Sequence, residues 1–348
     1  GLFRRKSLYS NKRIAPIFAQ ALFATTSIFS ILIADIAMSE EWDIGLRLIQ
    51  LPDPVMQSEL DVAVWYPSDA EVKEEAVGMA ILQVAKDADL ISEVKGLVLI
   101  SHGFSGTFLA HQDTAQYLAK NGYIVATFTH PDLPGLKTGI PQLDPMVSRP
   151  RQIAMIVDGI SNHPLFKDSL LNKRIGFVGF SLGAYTGLVS AGAKPDLLSL
   201  ENYCATGPRE FLLCSVAARQ RFNSIRPQLA SLPVTQISAA VLLAPAYGPL
   251  FSEESFANVS IPIRIISAGK DEELDNRVNA QHFKSVLSDK AGHEIIAGAG
   301  HYIFMAPCSD KLKFAVPAIC TDPESVDRVE IHKRLNKNIV LFFDKLWR

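Results

Sequence analysis

Residues 174–188 read RIGFVGFSLGAYTGL: a short apolar run, a serine framed by Gly179 and Gly183, then a stretch whose one helix breaker is Gly187. A strand that turns at once into a helix leaves its middle residue, Ser181, on a strained corner. Glycines two positions to either side let neighbouring backbone pack close. The hydroxyl is then raised for attack. The five-residue pattern alone is a weak signal, because Gly and Ser at about 7% each produce roughly one chance match in ten chains of this length. The residues around it decide.

On both sides of the corner, strand-like and helix-like segments alternate. Gly96–Ser101, Tyr123–Phe128, Arg174–Gly179, Ile237–Ala244 and Ile261–Ser267 are continuous apolar runs, the signature of strands covered on both faces. His111–Asn121, Arg151–Asn162, Leu182–Gly192 and Asn276–Ser288 carry apolar residues at helical spacing. Ile44–Leu51 and Leu60–Tyr66 read as an opening antiparallel pair, each ended by a proline, and Glu294–Ala297 as a short last strand. The alternation predicts an α/β fold with a mostly parallel, doubly wound sheet. Residues 68–95, acidic and Ala-rich, read as a surface excursion. Residues 193–236 are too long for a plain connection. They are expected to form a cap above the carboxyl ends of the strands, where open sheets bind ligands, or else an insertion packed at the side.

The chain has 348 residues, 48% hydrophobic and 20% charged, with a formal net charge of −2. That composition is ordinary for a globular protein, and its length suits one α/β domain over residues 40–348. No basic run in the body of the chain offers the electrostatic footprint of a nucleic-acid binder. The first 39 residues differ. Arg4, Arg5, Lys6, Lys12 and Arg13 precede an apolar stretch, Ile14–Ala37, which reads as a cleaved secretory signal or an uncleaved membrane anchor. Either places the domain outside the cytoplasm, periplasmic or secreted, and the anchor adds membrane association. Four cysteines in an exported chain permit two disulfides. Of the three pairings, the local ones, Cys204 with Cys214 and Cys308 with Cys320, are favoured; four buried thiols are the alternative. No cysteine or histidine cluster has metal-site spacing.

A serine needs a base, and the base an orienting acid. In a sheet of this topology the acid and the histidine come from the ends of later strands, in the order Ser, acid, His. Asp271 follows the run IPIRIIS and His301 follows EIIAG. Glu272, Glu273 and Asp275 crowd the acid, and a carboxylate before a helix is often only a cap; the place directly after the strand favours Asp271. His293, the nearest rival histidine, precedes the last predicted strand. The oxyanion of an acyl-transfer intermediate would meet the N–H of Leu182 and that of Phe104, in the loop Ser101-His102-Gly103-Phe104-Ser105-Gly106. Phe108, Tyr185, Tyr247 and Phe251 are candidates to line an apolar substrate pocket, although core packing explains aromatic residues equally well.

The set SHGFSG (101–106), THPD (129–132), RPRQ (149–152), GFSLG (179–183), LLAPAYGPLF (242–251) and GAGHYIFMAPC (298–308) resembles the bacterial α/β-hydrolases described as predicted dienelactone hydrolases, which are related to platelet-activating factor acetylhydrolases. The resemblance covers residues 44–348. It implies an α/β-hydrolase fold and a serine hydrolase that cleaves carboxylic esters of small molecules or lipids without metal or organic cofactor. Two departures stand out. Dienelactone hydrolases carry cysteine at the elbow, where this chain has Ser181. The acetylhydrolases place their acid after the strand that follows the nucleophile, where this chain reads Ala244-Pro245-Ala246. An amidase or peptidase of the same fold, and an exported binding protein without turnover, are the alternatives.

Overall fold

The computed structural model describes residues 42–91, 93–133, 143–207 and 211–347. The expected leader or anchor, residues 1–39, lies outside them. The chain begins with β1 (Asp43–Asp53) and β2 (Ser58–Ser68), antiparallel over their full length. Their turn is fixed by Asp53, whose Oδ1 accepts from the N–H groups of Val55 and Met56 and whose carboxylate takes a forked bond from Arg151. Pro52 and Pro67 do not end these strands as expected. Each sits at the penultimate position, where a missing N–H matters little.

The segment 68–95 is also more ordered than a surface excursion. β3 (Lys73–Val77) and β4 (Ala80–Lys86) form a hairpin about Gly78, whose φ of 57° suits a two-residue turn. β4 adds to β1 in parallel, and Val77 and Val84 are buried. The acidic residues of this stretch face outward, which is why composition hid the strand alternation.

The parallel part follows: β5 (Leu97–Ser101), helix α1 (Gln112–Lys120), β6 (Ile124–Phe128), α2 (Pro145–Ser161), α3 (Lys167–Leu170), β7 (Ile175–Phe180), α4 (Leu182–Ser190), α5 (Leu197–Thr206), α6 (Phe211–Cys214), α7 (Val216–Leu229), β8 (Ala239–Leu243), β9 (Ile263–Ala268), α8 (Ala280–Leu287), β10 (Ala291–Ile296), α9 (Asp310–Ala315), α10 (Pro317–Cys320) and α11 (Arg328–Trp347). Among the described residues the strands form one sheet ordered β10-β9-β8-β7-β5-β6-β2-β1-β4-β3. β5 to β10 are mutually parallel, and β2 meets β6 antiparallel. The fold is that of the α/β-hydrolases. The reversal of order at β5, β6 and β7 puts the loop after β5 beside the corner after β7, at the carboxyl ends of the strands.

Side-chain alternation builds a core on each face. From β2, Leu60, Val62, Val64 and Tyr66 pack to one side and Ala63 and Trp65 to the other; from β5, Leu97 and Leu99 oppose Val98 and Ile100. Fully buried residues such as Phe177 and Phe128 each contribute about 1.5–3 kcal/mol. α2 starts earlier than its apolar spacing predicts, because Asp144 caps it by accepting from Met146 N and Pro145 occupies the first turn. That earlier start brings Arg149 into the helix. Likewise β10 begins at Ala291, so His293 lies within the strand, where its Nε2 meets Ser267 Oγ at 2.8 Å.

Candidate active site

Ser181 stands between β7 and α4 at φ 54° and ψ −116°, a conformation that costs a residue with a Cβ on the order of 1–3 kcal/mol. Close backbone contacts hold it there. A Cβ at Gly179 would collide with the Gly183 carbonyl, one at Gly183 would collide with the Ser101 and His102 carbonyls, and one at Gly103 would lie 3.5 Å from Ser181 Cβ. The glycines thus bring the β5 loop into direct contact with the corner. Ser181 N–H donates to Leu243 O at 2.9 Å, and Ser181 O accepts from Ala246 N at 3.3 Å, so the corner is also tied to the end of β8.

His301 opens the turn after β10, and Asp271 follows β9. His301 Nδ1–H donates to Asp271 Oδ2 at 2.8 Å, with the two side chains only 5% and 1% exposed. The other carboxylate oxygen accepts from Glu273 N at 3.0 Å and Leu274 N at 2.8 Å, so Asp271 cannot swing away from the ring. Glu272 plays a different part: its Oε2 accepts from the His301 main-chain N–H at 3.1 Å, and its carboxylate packs against Gly300. Two successive carboxylates therefore hold one histidine, the first by its ring and the second by its backbone. The imidazole packs on Phe180, the residue before Ser181, with ring centroids 4.8 Å apart. No hydrogen bond joins the Ser181 hydroxyl to His301 among those of the described residues.

The loop after β5 is set in a buried polar network. Arg149, fully buried on α2, forks onto Asp132, with Nε to Oδ1 at 2.8 Å and Nη2 to Oδ2 at 2.6 Å. It also donates to the carbonyls of His102 (2.7 Å) and Gly103 (2.9 Å). Asp132 accepts in addition from Ser105 N at 2.8 Å. His102 Nε2 accepts from His130 N at 2.9 Å, which leaves Nδ1–H to donate to Gly103 O at 2.5 Å. His130 Nδ1–H donates to Gln152 Oε1 at 2.6 Å, and its Nε2 accepts from the Ser101 hydroxyl at 3.0 Å. Burial, reinforced by the positive charge of Arg149, holds both histidines well below their usual pKa, in accord with these neutral tautomers. Among the described residues, neither the Phe104 N–H nor the Leu182 N–H has a protein acceptor.

The aromatic candidates separate. Tyr185 is fully buried on α4, donating from its hydroxyl to Met146 O at 3.0 Å, and Phe251 is fully buried against Phe256 and Phe283. Both have no surface to offer a ligand and belong to the core. Phe108 lies beside Leu48, Gln50 and Val62 of β1 and β2. Tyr247, at φ 67° after β8, is half-buried and contacts Tyr185 at 5.7 Å. It meets the insertion as well: Phe222 on α7 packs edge-on against it at 6.5 Å, while Arg221 forks onto the cap residue Asp144 and reaches the Tyr247 hydroxyl at 3.4 Å. A cavity of about 220 Å³ among α5, α6 and α7, lined by Leu197, Leu200, Leu213 and Phe222, does not include Ser181, Asp271 or His301.

Cys204–Cys214 and Cys308–Cys320 are disulfides, bonds that persist in oxidising surroundings. Among the described residues no helix is long and apolar enough to cross a membrane, and no group of three or more His, Cys, Asp or Glu side chains could hold a metal ion. Glu272 was weighed only as a carboxylate crowding Asp271, and Arg149 and Asp132 were not singled out by residue chemistry. RPRQ and THPD marked the latter two only as parts of a motif set.

Fold and site define the class: an α/β-hydrolase-fold protein with a serine on the strained corner and an Asp–His pair at neighbouring strand ends. No protein-family model matches the sequence, and no curated protein matches it. Among solved structures, the chain is similar to a predicted CIB-like hydrolase from Thermoplasma acidophilum, at 12% identity and a TM-score of 0.46, over 85% of this chain and 99% of that one.

Proposed function

We propose that the protein is an exported serine hydrolase that cleaves carboxylic esters through an acyl-enzyme. The observation that carries this reading is the buried Asp271–His301 bond, directed from the strand ends beside a serine held at positive φ. Asp271 accepts from Nδ1, which leaves Nε2 as the lone-pair nitrogen to take the Ser181 proton. Catalytic hydrogen bonds are often loose without substrate and tighten in the complex. Ser181 Oγ attacks the ester carbonyl, the Phe104 and Leu182 N–H groups receive the charge on oxygen, and His301 returns its proton to the departing alcohol. Water then attacks the acyl-enzyme with the same base. Substrates are small-molecule or lipid esters, in keeping with the resemblance to predicted dienelactone hydrolases and platelet-activating factor acetylhydrolases. The four half-cystines and the basic, apolar N-terminal sequence support export.

A panel of p-nitrophenyl acyl esters and matched anilides, with fluorophosphonate labelling, tests this on wild type and Ser181→Ala. Ester turnover and labelling by wild type alone are expected. Faster anilide cleavage would make the protein an amidase. An unlabelled, inert wild type would leave a binding protein with a hydrolase fold.

A further inference from the structure

We propose that Arg149, backed by Asp132, is the positioning residue of the oxyanion site: it sets the direction of the Gly103–Phe104 peptide and strengthens its N–H. This rests on the ester-hydrolase reading of Ser181. In a trans peptide the C=O and N–H point in opposite directions. The Gly103 carbonyl accepts from two buried side chains, Arg149 Nη2 and His102 Nδ1, and from the Gly106 N–H within the loop at 3.3 Å, so the Phe104 N–H is turned the other way and, among the described residues, keeps no protein acceptor. A Cβ added at Gly103 would come within 3.5 Å of Ser181 Cβ, so this peptide belongs to the stretch of loop beside the serine.

Three features separate this arrangement from ordinary core packing. A fully buried guanidinium is expensive to desolvate, and burial indeed pulls the Arg149 pKa down against the support of Asp132. That expense is not met by Asp132 alone, since Arg149 also donates to the His102 and Gly103 carbonyls. Asp132 in turn grips the far side of the same loop through Ser105 N–H, at a residue whose φ of 60° is itself strained. Both halves of the ion pair thus converge on one short loop. A cation bonded to a carbonyl also polarises that peptide, making its N–H a stronger donor to a developing oxyanion.

The test compares wild type, Arg149→Met, Arg149→Lys and Asp132→Asn by ester kinetics and by the rate of fluorophosphonate reaction at Ser181, with circular dichroism and thermal melting to establish folding. Loss of one oxyanion donor costs about 10²–10³-fold. Folded Arg149→Met should therefore lose about 100-fold in kcat with KM changed less than threefold. Its phosphonylation rate should fall in parallel, because that transition state also places charge on oxygen. Arg149→Lys, which keeps charge but not the fork, should recover part of kcat. Asp132→Asn, which keeps the shape, should fall between wild type and Arg149→Met. Wild-type-like kcat in folded Arg149→Met or Asp132→Asn would overturn the inference while leaving the hydrolase reading intact. If Arg149→Met does not fold, undiminished kcat in Arg149→Lys and Asp132→Asn would overturn it equally. A wild type inert to both ester and probe would remove the reading beneath it.

Discussion

At the scale of single residues, the site depends on which nitrogen of His301 carries the proton. Asp271 can only accept, so it holds the proton on Nδ1 and leaves Nε2 as the nitrogen that, in the proposed mechanism, takes the Ser181 proton. In Asp271→Asn the amide can donate to Nδ1 instead, which moves the proton to Nε2 and removes the base. We expect kcat to fall roughly 10³-fold or more with little change in fold, measured by ester turnover and melting temperature. Retained turnover would shift the acid's role to another carboxylate. Glu272→Gln is the informative companion: its amide oxygen still accepts from the His301 N–H, so a loss under about tenfold is expected, the scale of one orienting hydrogen bond. The strand-end rule made the places of Ser181, Asp271 and His301, as candidates, readable along the chain, since each lies just after a strand. Arg149, Asp132 and Glu272 were not readable in the same way. Their partners are main-chain atoms of other loops, which carry no residue-type signal.

At the scale of elements, the corner and the β5 loop behave as one unit because they meet through backbone. Gly183→Ala would drive a Cβ into the Ser101 and His102 carbonyls, atoms that cannot yield without moving the loop. A destabilisation of about 1–3 kcal/mol is expected, as for other overpacked sites, together with loss of turnover out of proportion to the unfolded fraction. A variant that melts and turns over like wild type would show that loop and corner are not so coupled. In the insertion, Cys204 and Cys214 are separated by ten residues in sequence, a loop closure worth about 2–3 kcal/mol. The Cys204→Ser, Cys214→Ser double variant should lose that much in chemical denaturation, and reductant should lower the wild type more than the variant, which keeps Cys308–Cys320. Strands buried on both faces were legible as apolar runs, whereas the β3–β4 hairpin was not. Its outer face is charged, and only Val77, Gly78, Leu82 and Val84 mark the alternation and the turn. Helix α2 was legible in its body but not at its start, where capping by Asp144 and Pro145 extends it beyond the apolar spacing.

At the scale of the whole molecule, buried histidines make stability depend on pH. His111, sealed in the core with Nδ1 donating to Phe304 O at 2.8 Å, has its pKa driven by burial down to about 4, although Asp113 opposes the shift; His332 reinforces it. His102 and His130 are held well below the usual value by burial and by Arg149. In the unfolded chain each titrates near 6.5. Above that pH neither state binds these protons, and they contribute nothing. Below it the unfolded chain takes up protons that the folded chain refuses, so stability declines as the pH falls. For His111 the decline ends near pH 4 and amounts to roughly 3 kcal/mol. The carboxylates act in a lower window. Burial pushes Asp53 and Asp113 upward, but hydrogen bonds from Arg151 and His332 prevail and lower both below 3.8; their contribution is lost only on further acidification. Denaturant midpoints should therefore be nearly level above about pH 7 and fall from there toward pH 4.5, above the window in which Asp53 and Asp113 act. His111→Asn, whose amide can still donate to Phe304 O, should reduce the slope by about one proton, or 1.4 kcal/mol per pH unit. Stability that is flat across this range in the wild type, or a slope that the substitution leaves unchanged, would mean that these imidazoles gain their protons without unfolding, and that the polar network beneath the serine is open to water.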